Sequence, residues 1–422
     1  MIIRMRYLFA CIAGHLAFFL SRLFGRGSGE QIQGRVIDLL CPQALRIAAK
    51  DVRIIIVSAT NGKTTTTRLL ASALGQVHAN VISNALGANQ RAGVLAALVS
   101  AKKTPGVARW AVLEVDERSL PGMFDELHPE LLVLGNLSRD QLDRFGEVSS
   151  ISQSWKKMLE STSVHVIANG CDPHIVYATS DLPSEQLSYV DLFSRWHDDA
   201  HTCPMCGELL HWDAHSHFTS PTCGFTTPTS TMTIDDETRE LITDSLFLPG
   251  AWNVNNAILA YQAALLCDVE SEATLTSWKE VREVAGRNAI FHLDNERSIQ
   301  LFLAKNPAGW NETLSHLTLS PGDATIFAFN CNIADGKDPS WLYDVDFENA
   351  MLDNVVIFGE RKTDMQVRLA VAGKTIQLAD NFREALGLTS SAKHINLVAS
   401  YTQFLTLSRV LPKMATPQKV SP

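Results

Sequence analysis

Residues Thr60-Asn-Gly-Lys-Thr64 carry the chemistry that is easiest to recognise in this chain. They follow an apolar, β-branched run at 53–58 and precede a helical pattern, so they lie between a predicted strand and a predicted helix. In such a turn the backbone amides and the positive helix end bind phosphate, Lys63 reaches the phosphate oxygens, and the Thr64 hydroxyl ligates Mg²⁺. The full phosphate-loop pattern would place a glycine where Val57 stands, and an ordinary strand–helix turn is the alternative. The strand–loop–helix context favours a loop that binds ATP.

Acidic and amide side chains follow two further apolar runs. Glu114-Val-Asp-Glu117 ends the run 110–115, and Asn136 follows the run 131–134. In open parallel sheets the ligands gather at the carboxyl ends of the strands. A carboxylate such as Glu114 can hold the Mg²⁺ that bridges nucleotide phosphates, whereas a solvated acidic turn is the alternative. Two strand ends with this content favour a binding site.

Two more polar clusters follow apolar runs. Asn169 and Asp172 close the run 164–168, where they could read adenine or ribose, and a plain Asx-Pro turn is the alternative. Near the C-terminus, Asp335 and Asp338 follow another apolar strand. Either acid could orient a histidine or bind ammonia, while the alternative is an Asp-Gly turn with local hydrogen bonds.

Cys203-Pro-Met-Cys206 has the spacing of half a zinc-binding knuckle, because two thiolates two residues apart converge on one ion at about 2.3 Å. The second half is incomplete, since Cys223 is present but Ser220 occupies the preceding ligand position. The fourth ligand stays open among His211, His215 and His217. We expect zinc here to be structural, because three thiolates and a fourth ligand leave no open position for catalysis. Weak binding or a metal-free module is the alternative.

The composition is that of an ordinary soluble globular protein of 422 residues, with 46% hydrophobic and 19% charged residues, and it excludes general disorder. A net charge of −9 argues against a nucleic-acid partner bound through a broad basic face. Eight cysteines are present, and those outside the knuckle stand singly in apolar segments. This pattern indicates a reducing cytoplasm rather than a disulfide framework.

The elements that must position these residues follow from alternation along the chain. Apolar runs alternate with helix-compatible segments, which is typical of an α/β protein with buried parallel sheets. Between residues 197 and 228 the sequence becomes rich in His, Thr, Ser, Gly and Cys, which indicates an inserted module. The predicted organisation is an N-terminal helical segment (1–44), a central ATP-binding domain (45–290) containing the insert, a C-terminal α/β domain (291–413) and a disordered tail (414–422).

The apolar run 7–20 follows Arg4 and Arg6 and has the character of a signal-peptide core. However, His15 interrupts it, Arg22 follows it, and no small-residue cleavage site is evident. The run is also shorter than the roughly 20 residues that a spanning helix needs. We therefore expect a cytoplasmic protein whose first helix is buried or lies at a membrane surface.

Several of these motifs together resemble the Mur ligase family. Three parts of the chain resemble the central ATPase domain of that family: segment 60–64, Asn136 with 140–143, and Trp252-Asn-Val-Asn-Asn256. One branch, the MurT type of ligase-like subunit of lipid II isoglutaminyl synthases, is resembled by segments 114–117, 140–144, 203–206, 305–309 and 335–341. The resemblance spans roughly residues 20–410. It implies a Mur-type central P-loop ATPase domain with a zinc-ribbon-like insert, followed by a Rossmann-like C-terminal α/β domain.

The resemblance implies a carbon–nitrogen ligase that amidates the D-glutamate α-carboxylate of the lipid II stem peptide, with ATP, Mg²⁺ and a structural Zn²⁺. ATP would phosphorylate the carboxylate, and ammonia would displace the phosphate. The implied nucleotide-binding residues are Thr60, Asn61, Gly62, Lys63, Thr64, Thr65, Asn136, Asn169, Asp172, Asn253, Asn256 and Arg287. The implied metal ligands are Thr64 and Glu114 for magnesium, with Glu114 also catalytic, and Cys203, Cys206 and Cys223 for zinc.

The resemblance also implies a partner, since no glutaminase nucleophile is evident in this chain. Ammonia would come from a GatD-type glutaminase subunit that carries its own Cys and His. An Asp of the segment 335–338 would complete the triad of that subunit by orienting its imidazole. Asp338 is the favoured catalytic residue, and Asp335 and Asp344 stay open. The lipid II substrate would place the complex at the inner face of the plasma membrane.

Five positions depart from the family pattern and indicate a divergent member. Ala59 stands where a glycine is usual, so that its Cβ could crowd the nucleotide or forbid a positive φ. Ser138 replaces an aromatic residue, Asn288 stands where an acidic residue is frequent, and Gln141 takes the place of a histidine. The missing fourth cysteine, at Ser220, is the largest loss.

Two other functions remain open. One is a stand-alone Mur-type or folylpolyglutamate-type ligase that adds an amino acid rather than ammonia. The other is a degenerate nucleotide-binding scaffold that holds or activates the glutaminase and has no ligase activity of its own.

Overall fold

The computed structural model describes residues 2–24, 29–84, 88–101, 106–140, 148–192, 199–248, 250–281, 288–293 and 296–415. These residues form two six-stranded sheets with helices packed against them and a two-stranded hairpin. The predicted α/β class is therefore confirmed. Gln141, Arg287 and positions 416–422 of the expected tail lie outside the described residues.

Three helices precede the first sheet, namely α1 (Ile2–Leu23), α2 (Glu30–Leu40) and α3 (Ala44–Ala49). Helix α1 packs along α2, and a Cβ added at Gly14 would lie 2.4 Å from Ile37 Cγ1. At 22 residues α1 is longer than the apolar run 7–20, because the arginine-bearing turns on both sides continue the helix. It is long and apolar enough to cross a membrane by length and composition, and only 11% of the apolar window is buried. The expectation of a helix too short to span is therefore wrong.

The first sheet has the strand order β2-β3-β1-β4-β5-β6, and its paired strands run parallel. Its strands are β1 (Val52–Ser58), β2 (Ile82–Ser83), β3 (Arg109–Glu114), β4 (Leu131–Leu134), β5 (His165–Asn169) and β6 (Leu187–Val190). Ile54 and Ile56 pack into one apolar cluster, whereas Ile55 and Val57 pack into another. Alternate residues of β1 thus face opposite covered sides, as a buried parallel sheet requires.

The helices of this part of the chain are α4 (Lys63–Leu74), α5 (Arg91–Ser100), α6 (Leu120–Leu127), α7 (Val148–Leu159), α8 (Pro173–Thr179), α9 (Asp236–Asp244), α10 (Ala251–Leu266) and α11 (Ser271–Trp278), with a 3₁₀ turn at Ser184–Gln186. Between β6 and α9 the cysteine-bearing insert forms a hairpin of β7 (His211–Trp212) and β8 (Phe218–Thr219). Phe218 is fully buried in a small cluster with Cys203, Leu210 and Val176 of α8, so the insert packs on the first sheet's helices.

The second sheet has the order β13-β12-β11-β14-β10-β9. Its strands are β9 (Ala289–His292), β10 (Ser298–Leu303), β11 (Ala324–Ala328), β12 (Val355–Phe358), β13 (Ile376–Leu378) and β14 (His394–Ala399), and its helices are α12 (Pro307–Leu319), α13 (Lys362–Val371), α14 (Phe382–Leu388) and α15 (Tyr401–Met414), with a 3₁₀ turn at Ser340–Asp344. Among the described strand pairs of this second sheet, only β9–β10 is antiparallel. Because β9 begins at Ala289, the second sheet starts slightly before the expected boundary at 290.

Candidate functional site

The phosphate loop lies between β1 and α4, at the carboxyl end of the first sheet. Gly62 has φ +86°, which favours glycine, and a Cβ added there would lie 2.0 Å from Asn256 Oδ1. Helix α4 begins at Lys63, the residue after this turn, and is 12 residues long. The loop amides and the positive end of α4 therefore meet where a phosphate would bind.

Asn136 forms hydrogen bonds with the backbone of the phosphate loop that resemble those between paired strands. The Asn61 amide donates to Asn136 Oδ1 at 3.0 Å, and Asn136 Nδ2 donates to the Asn61 carbonyl at 2.9 Å. The Thr60 amide donates to the Asn136 carbonyl at 2.8 Å, and the Ser138 amide donates to Thr60 Oγ1 at 3.0 Å. The chain after β4 thus continues the pairing beyond the sheet and fixes the loop. The role of Asn136 in this geometry is to position the loop.

Ala59, where the family pattern has glycine, is accommodated by its neighbour across the sheet. Ala59 is buried, and a Cβ added at Gly135 would lie 3.0 Å from the Ala59 methyl. Ala59 is not among the described residues with positive φ. Its methyl group packs against the space left by Gly135, so the backbone strain expected at this position is not found.

Lys63 is held inside the site by an acidic residue that sequence reasoning did not single out. Its Nζ donates to Glu117 Oε2 at 2.9 Å and to the Thr60 carbonyl at 3.2 Å, and it also contacts the Ala59 carbonyl. Both side chains of the Lys63–Glu117 pair are only 7% exposed. Burial opposes ionisation of Glu117, but Lys63 and Lys305 outweigh it and hold the pKa of this carboxyl below its ordinary value. The available signal was the position of Glu117 just after β3.

Glu114, the predicted magnesium ligand, carries a buried oxygen without a partner. The residue is 2% exposed, and its Oε1 accepts from Asn89 Nδ2 at 3.0 Å. Its Oε2 is buried and has no hydrogen-bond partner in the described part of the chain. Leaving a buried carboxylate oxygen unsatisfied is costly, and a cation would satisfy it. With the hydroxyl of Thr64, a buried residue, this donor set has the oxygen chemistry that Mg²⁺ prefers.

A cavity of about 210 Å³ opens beside the loop and reaches the second sheet. Of the predicted nucleotide-binding residues, it is lined by Asn61, Gly62, Thr65, Asn136, Asn169, Asp172, Asn253 and Asn256. Thr60, Lys63 and Thr64 are buried within the loop itself, and Arg287 lies outside the described residues. From the second domain the cavity is lined by Phe302, Gly309 and Glu312, so both domains form its wall.

Asp172 uses both carboxylate oxygens to hold backbone. Its Oδ1 caps α8 by accepting from the His174 and Ile175 amides, at 2.9 and 3.1 Å. Its Oδ2 accepts from the Leu137 amide at 2.8 Å, and burial raises its pKa. Asn169 likewise accepts from the Cys171 amide at 2.9 Å. Both residues shape the cavity wall, and their contact with a nucleotide stays a prediction.

The second domain meets the phosphate loop through the turn between β10 and α12. Asn306 caps α12 by accepting from the Gly309 amide at 2.9 Å, and its Nδ2 donates to Asn61 Oδ1 at 3.3 Å. The adjacent Lys305 forms an ion pair with Asp140, which follows β4. The sequence showed these residues only as parts of two separate motifs, because nothing in their spacing predicts that they touch.

The three candidate acids for a partner's triad differ in how they are used. Asp335 is 6% exposed and accepts from the Asn332 amide, the Thr402 amide and the Thr402 hydroxyl, at 3.0, 2.8 and 2.6 Å. Asp344 pairs with Arg139 at 3.0 Å. Asp338 is exposed, and its Oδ1 accepts from the Ser340 amide at 2.9 Å. It lines a second cavity of about 260 Å³ together with Arg139, Lys305 and Trp341.

The predicted zinc ligands converge in the insert. The Sγ atoms of Cys203 and Cys223 are 3.6 Å apart, and the Ser220 hydroxyl lies 3.4 Å from the Sγ atoms of both Cys206 and Cys223. The Ser220 hydroxyl and the Phe225 amide lower the pKa of Cys223 to about 7. A thiol of low pKa supplies the thiolate that zinc requires. Burial raises the pKa of Cys203, so the three thiols are not equally ready to bind a metal, and Ser220 lies beside two of them at the missing ligand position.

His217, one of the possible fourth ligands, is held by two carboxylates. Its Nε2 lies 3.0 Å from Asp191 Oδ2 and its Nδ1 lies 3.3 Å from Asp213 Oδ2. The hydrogen bond to Asp191 is the main cause that raises the pKa of His217. Asp191 also accepts from the Cys171 thiol at 3.0 Å. His217 thus belongs to a group with Cys171 and Asp191 rather than to the cysteine cluster.

Comparison with known families gives two matches that follow one another along the chain. The family described as the Mur ligase middle domain matches residues 57–264, which include the phosphate loop and the insert. The family described as the MurT ligase C-terminal domain matches residues 303–404, which include Asp335 and Asp338. Together the two matches cover both domains that line the cavity.

Curated relatives match over most of their length. The MurT subunit of the glutamine-hydrolysing lipid II isoglutaminyl synthase of Streptococcus pneumoniae (strain ATCC BAA-255 / R6) is 28% identical, over 95% of this chain and 96% of the relative. The same subunit from Staphylococcus aureus (strain N315) is 29% identical, over 85% and 86%.

Solved structures share the fold at low identity. MurF from Acinetobacter baumannii superposes with a TM-score of 0.62 at 16% identity, over 90% of this chain and 80% of that chain. FolC from E. coli in complex with DHPP and ADP gives a TM-score of 0.54 at 18% identity, over 88% and 91%.

Proposed function

The chain belongs to the Mur ligase family and carries a C-terminal domain of the MurT type, and we propose that it is the ligase subunit of a glutamine-hydrolysing lipid II isoglutaminyl synthase. The reaction is the ATP-dependent amidation of the D-glutamate α-carboxylate in the stem peptide of lipid II. The observation that carries the proposal is the contact between the phosphate loop and the MurT-type domain, from Asn306 Nδ2 to Asn61 Oδ1. It brings an ATP-binding loop and a branch-specific motif to one cleft.

The chemistry divides into two steps for which the site supplies mainly positioning and charge. A carboxylate oxygen attacks the γ-phosphorus of ATP, ADP leaves, and an acyl phosphate results. Ammonia then attacks the acyl carbon, phosphate leaves, and a proton is released as the amide forms. Lys63 neutralises the transferring phosphoryl group, and the rigid loop fixes it in line with the acceptor. Thr64 and Glu114 would hold Mg²⁺, which supplies further neutralisation of the phosphates.

Lys63 must change partners for this chemistry. It is paired with Glu117 in the described structure, and the γ-phosphate would compete with that carboxylate for the ammonium group. Lys305 lies close enough to Glu117 to influence its pKa, so a cation remains near Glu117 when Lys63 turns to the phosphate. The Lys63–Glu117 pair thus holds the loop lysine in position before the nucleotide arrives.

The proposed ammonia source is a GatD-type glutaminase subunit. A partner that supplies ammonia is supported by the curated relatives, which are named as subunits of a glutamine-hydrolysing enzyme. Of the three candidate acids, Asp335 is buried and its oxygens are already used, and Asp344 is paired with Arg139. Asp338 is exposed, and among the described residues only the hydrogen bond from the Ser340 amide occupies its carboxylate. We assign to Asp338 the role of orienting the partner's histidine, because only an accessible carboxylate can reach an imidazole on another chain.

Zinc in the insert is structural in this proposal. Cys203, Cys206 and Cys223 supply three thiolates, and Ser220 or a water completes the shell. Cobalt substitution tests it, since thiolate-to-cobalt charge-transfer bands appear only if the thiolates bind the metal. Cys206→Ser should weaken the bands, and their absence in the unsubstituted chain would remove zinc from the proposal.

The deciding experiment follows amidation of lipid II by mass spectrometry, through the small mass decrease when a carboxylic acid becomes an amide. The chain is supplied with ATP and ammonium chloride, and in a second arm with glutamine and the glutaminase subunit. Amidation with ammonium alone places the ligase chemistry in this chain and the ammonia supply in the partner. A third arm replaces ammonium with a free amino acid, and turnover only in that arm would indicate the stand-alone ligase. ATP binding without amidation in either arm would favour the scaffold.

A further inference from the structure

Helix α1 has a face of small residues that is covered and an opposite, apolar face that the described part of the chain leaves exposed. Ala10, Gly14 and Ser21 lie on the covered face, which packs against α2. The opposite face exposes eight large apolar side chains, each between 45% and 79% exposed: Met5, Leu8, Phe9, Ile12, Leu16, Phe19, Leu20 and Leu23. Their spacing of three and four residues places them along one side of the helix. An exposed apolar stripe of this length marks an interaction surface.

The charges around this stripe are all positive. Arg4, Arg6 and Arg22 lie in α1, and the chain has no acidic residue before Glu30, although its net charge is −9. Arg4 and Arg22 are exposed and lie on the same side of the helix, because about five helical turns separate them. Arg6 lies towards the covered side, where its Nε donates to the Leu40 carbonyl at 2.5 Å. Cations thus border the apolar stripe on both sides.

The packing of α1 indicates a helix that lies in the plane of a surface. A spanning helix is surrounded by lipid, whereas here α2 covers one side of the middle part of α1, from Arg6 next to Leu40 to Phe18 next to Gly29. The close approach at Gly14 needs a residue without a Cβ, since a Cβ would lie 2.4 Å from Ile37 Cγ1. This contact ties α1 to the folded chain and leaves only the opposite stripe available.

We propose that the α1 stripe docks the enzyme on an anionic bilayer surface, with its apolar side chains below the headgroups and Arg4 and Arg22 at the phosphate level. This inference rests on the proposed function, in which the substrate is held in the membrane by its lipid. An in-plane helix gains from apolar burial and from attraction of its cations to anionic lipid. It holds the catalytic cleft near the membrane, where the stem peptide of the substrate emerges.

The charges favour a bilayer over a second copy of the chain as the occupant. Two copies joined through the stripe would bring their arginine rows together, and no acidic residue of α1 is available to pair with them. An anionic surface is complementary to the same rows.

Vesicle cosedimentation of the full-length chain, alone and with its glutaminase subunit, tests the proposal without using ligase activity. The vesicles are phosphatidylcholine with or without phosphatidylglycerol, and they contain no lipid II. The unsubstituted chain should cosediment with the anionic vesicles and be released by salt. The double substitution Phe9→Glu with Leu16→Glu should lower the bound fraction at least about tenfold, because it puts charge into the stripe. Leu319→Glu, at an 83% exposed apolar site on α12, is the matched control and should bind normally.

Arg4→Gln and Arg22→Gln probe the charge term separately. Each should weaken binding to anionic vesicles about fivefold and change binding to neutral vesicles little. Amidation of a soluble, lipid-free stem-peptide precursor by the Phe9→Glu/Leu16→Glu variant should remain at the unsubstituted level, so failure of docking and failure of the ligase proposal are distinguishable. The inference is overturned if the chain stays in the supernatant with anionic vesicles, or if the stripe variant binds as well as the unsubstituted chain. A dimer that these substitutions split, with no vesicle binding, would assign the stripe to a second copy.

Discussion

The two sheets end in polar clusters at equivalent edges, and the clusters are satisfied to different degrees. At the first sheet, Glu114 has a buried oxygen without a described partner, and Lys63 is held by a single carboxylate, Glu117. At the second sheet, the buried Asp335 accepts three hydrogen bonds from its surroundings. Asn330 is similarly occupied, since its Oδ1 accepts from the Glu360 amide and from Gln403 Nε2, at 2.9 and 3.0 Å.

The comparison separates polar residues that await a ligand from those that hold the fold. Buried polar groups in native structures are nearly always paired, so an unpaired carboxylate oxygen beside a phosphate loop is consistent with a missing cation. The first edge meets this criterion at Glu114, whereas the described buried acid of the second edge does not need a ligand. What the second edge offers outward is Asp338, an exposed acid beside a cavity. In the proposed function, one edge therefore serves a bound nucleotide and the other serves a second protein.

Removing the Lys63 cation should abolish the function of the first sheet's edge, which is amidation, and leave the function of the second sheet's edge unchanged. Lys63→Met alone would leave Glu117 as a buried unpaired charge, so the informative variant is Lys63→Met with Glu117→Gln. Amidation should fall about 10⁴-fold, the scale on which a phosphate-binding cation acts. The measurement is amidation of lipid II with ammonium, next to Glu117→Gln alone.

The matched readout for this variant is glutamine hydrolysis by the complex, which should stay near the unsubstituted rate because Asp338 is untouched. Equal loss of both activities would show that the two edges are not functionally separate. Full retention of amidation would contradict the assignment of the phosphate loop.

The reverse experiment uses Asp338→Asn, which should impair only the function assigned to the second sheet's edge, namely support of glutamine hydrolysis. The Asn oxygen can still accept from the Ser340 amide, so the fold is expected to be unchanged. Glutamine hydrolysis by the complex should fall about 10³-fold, because an amide cannot stabilise the partner's imidazolium. Amidation with ammonium should persist, and the pair of rates is the measurement.

Asp335→Asn is the control for that experiment, since it alters the acid that holds the fold. The amide nitrogen cannot accept the bonds made to one carboxylate oxygen, so the free energy of unfolding should fall by about 1–3 kcal/mol. Its effect on hydrolysis should follow its effect on stability. If Asp335→Asn abolishes hydrolysis at unchanged stability while Asp338→Asn does not, the triad role moves to Asp335.

The parts of the site that the sequence predicted are those encoded by local spacing. Lys63 and Thr64 follow a strand directly, and Cys203, Cys206 and Cys223 share a recognisable interval, so local rules suffice. Glu117 as the partner of Lys63, and Asn306 as a contact of Asn61, depend on the strand order and on domain contact. Those contacts join residues far apart in the chain, which no periodicity encodes.

The same dependence on contacts between distant residues explains why the sequence did not predict the length of α1 or the different roles of Asp335 and Asp338. Helix α1 extends beyond its apolar run because arginine favours helix and the arginines have a surface to occupy. The sequence alone does not distinguish the roles of Asp335 and Asp338, because both are aspartates in one short segment. The structure distinguishes them, because the amides of Asn332 and Thr402 donate hydrogen bonds to the Asp335 carboxylate, which therefore stabilises the fold.

Glycine substitutions at the two edges sharpen the comparison at a smaller scale. Gly62 has φ +86°, and a Cβ added there would lie 2.0 Å from Asn256 Oδ1. Gly359, after β12, has φ +119°, and a Cβ added there would lie 2.2 Å from the Phe329 carbonyl oxygen. Each alanine should cost about 1–3 kcal/mol of strain. At Gly62 the added Cβ should displace the phosphate loop or Asn256, so ATP affinity should fall about tenfold or more, measured by calorimetry. At Gly359 the loss should appear as a lower free energy of unfolding, with ATP affinity unchanged; weaker ATP binding there would contradict the separation.

The smallest effect is expected at the outermost strand of the first sheet, where His217 of the insert meets Asp191 after β6. Asp191 and Asp213 face the imidazole, His215 is the nearest ring, at 6.1 Å, and Cys171 bonds to Asp191. The folded-state pKa of His217 is raised above 6.5, chiefly by its hydrogen bond to Asp191. A raised pKa stabilises the fold fully below pH 6.5, and this contribution is lost as pH rises through the folded-state value.

Since the His217 side chain is 37% exposed, solvent screens the pair, and the contribution should stay below about 0.5 kcal/mol. The expected result is slightly greater hydrogen-exchange protection of the insert amides near pH 6 than near pH 8, after correction for intrinsic exchange. His217→Gln should remove the difference, whereas His211→Gln, exposed in the same hairpin, should keep it. A difference that survives His217→Gln would assign the pH dependence to another group. A difference well above the screened magnitude would mean that the imidazole anchors the insert more firmly than a surface pair can.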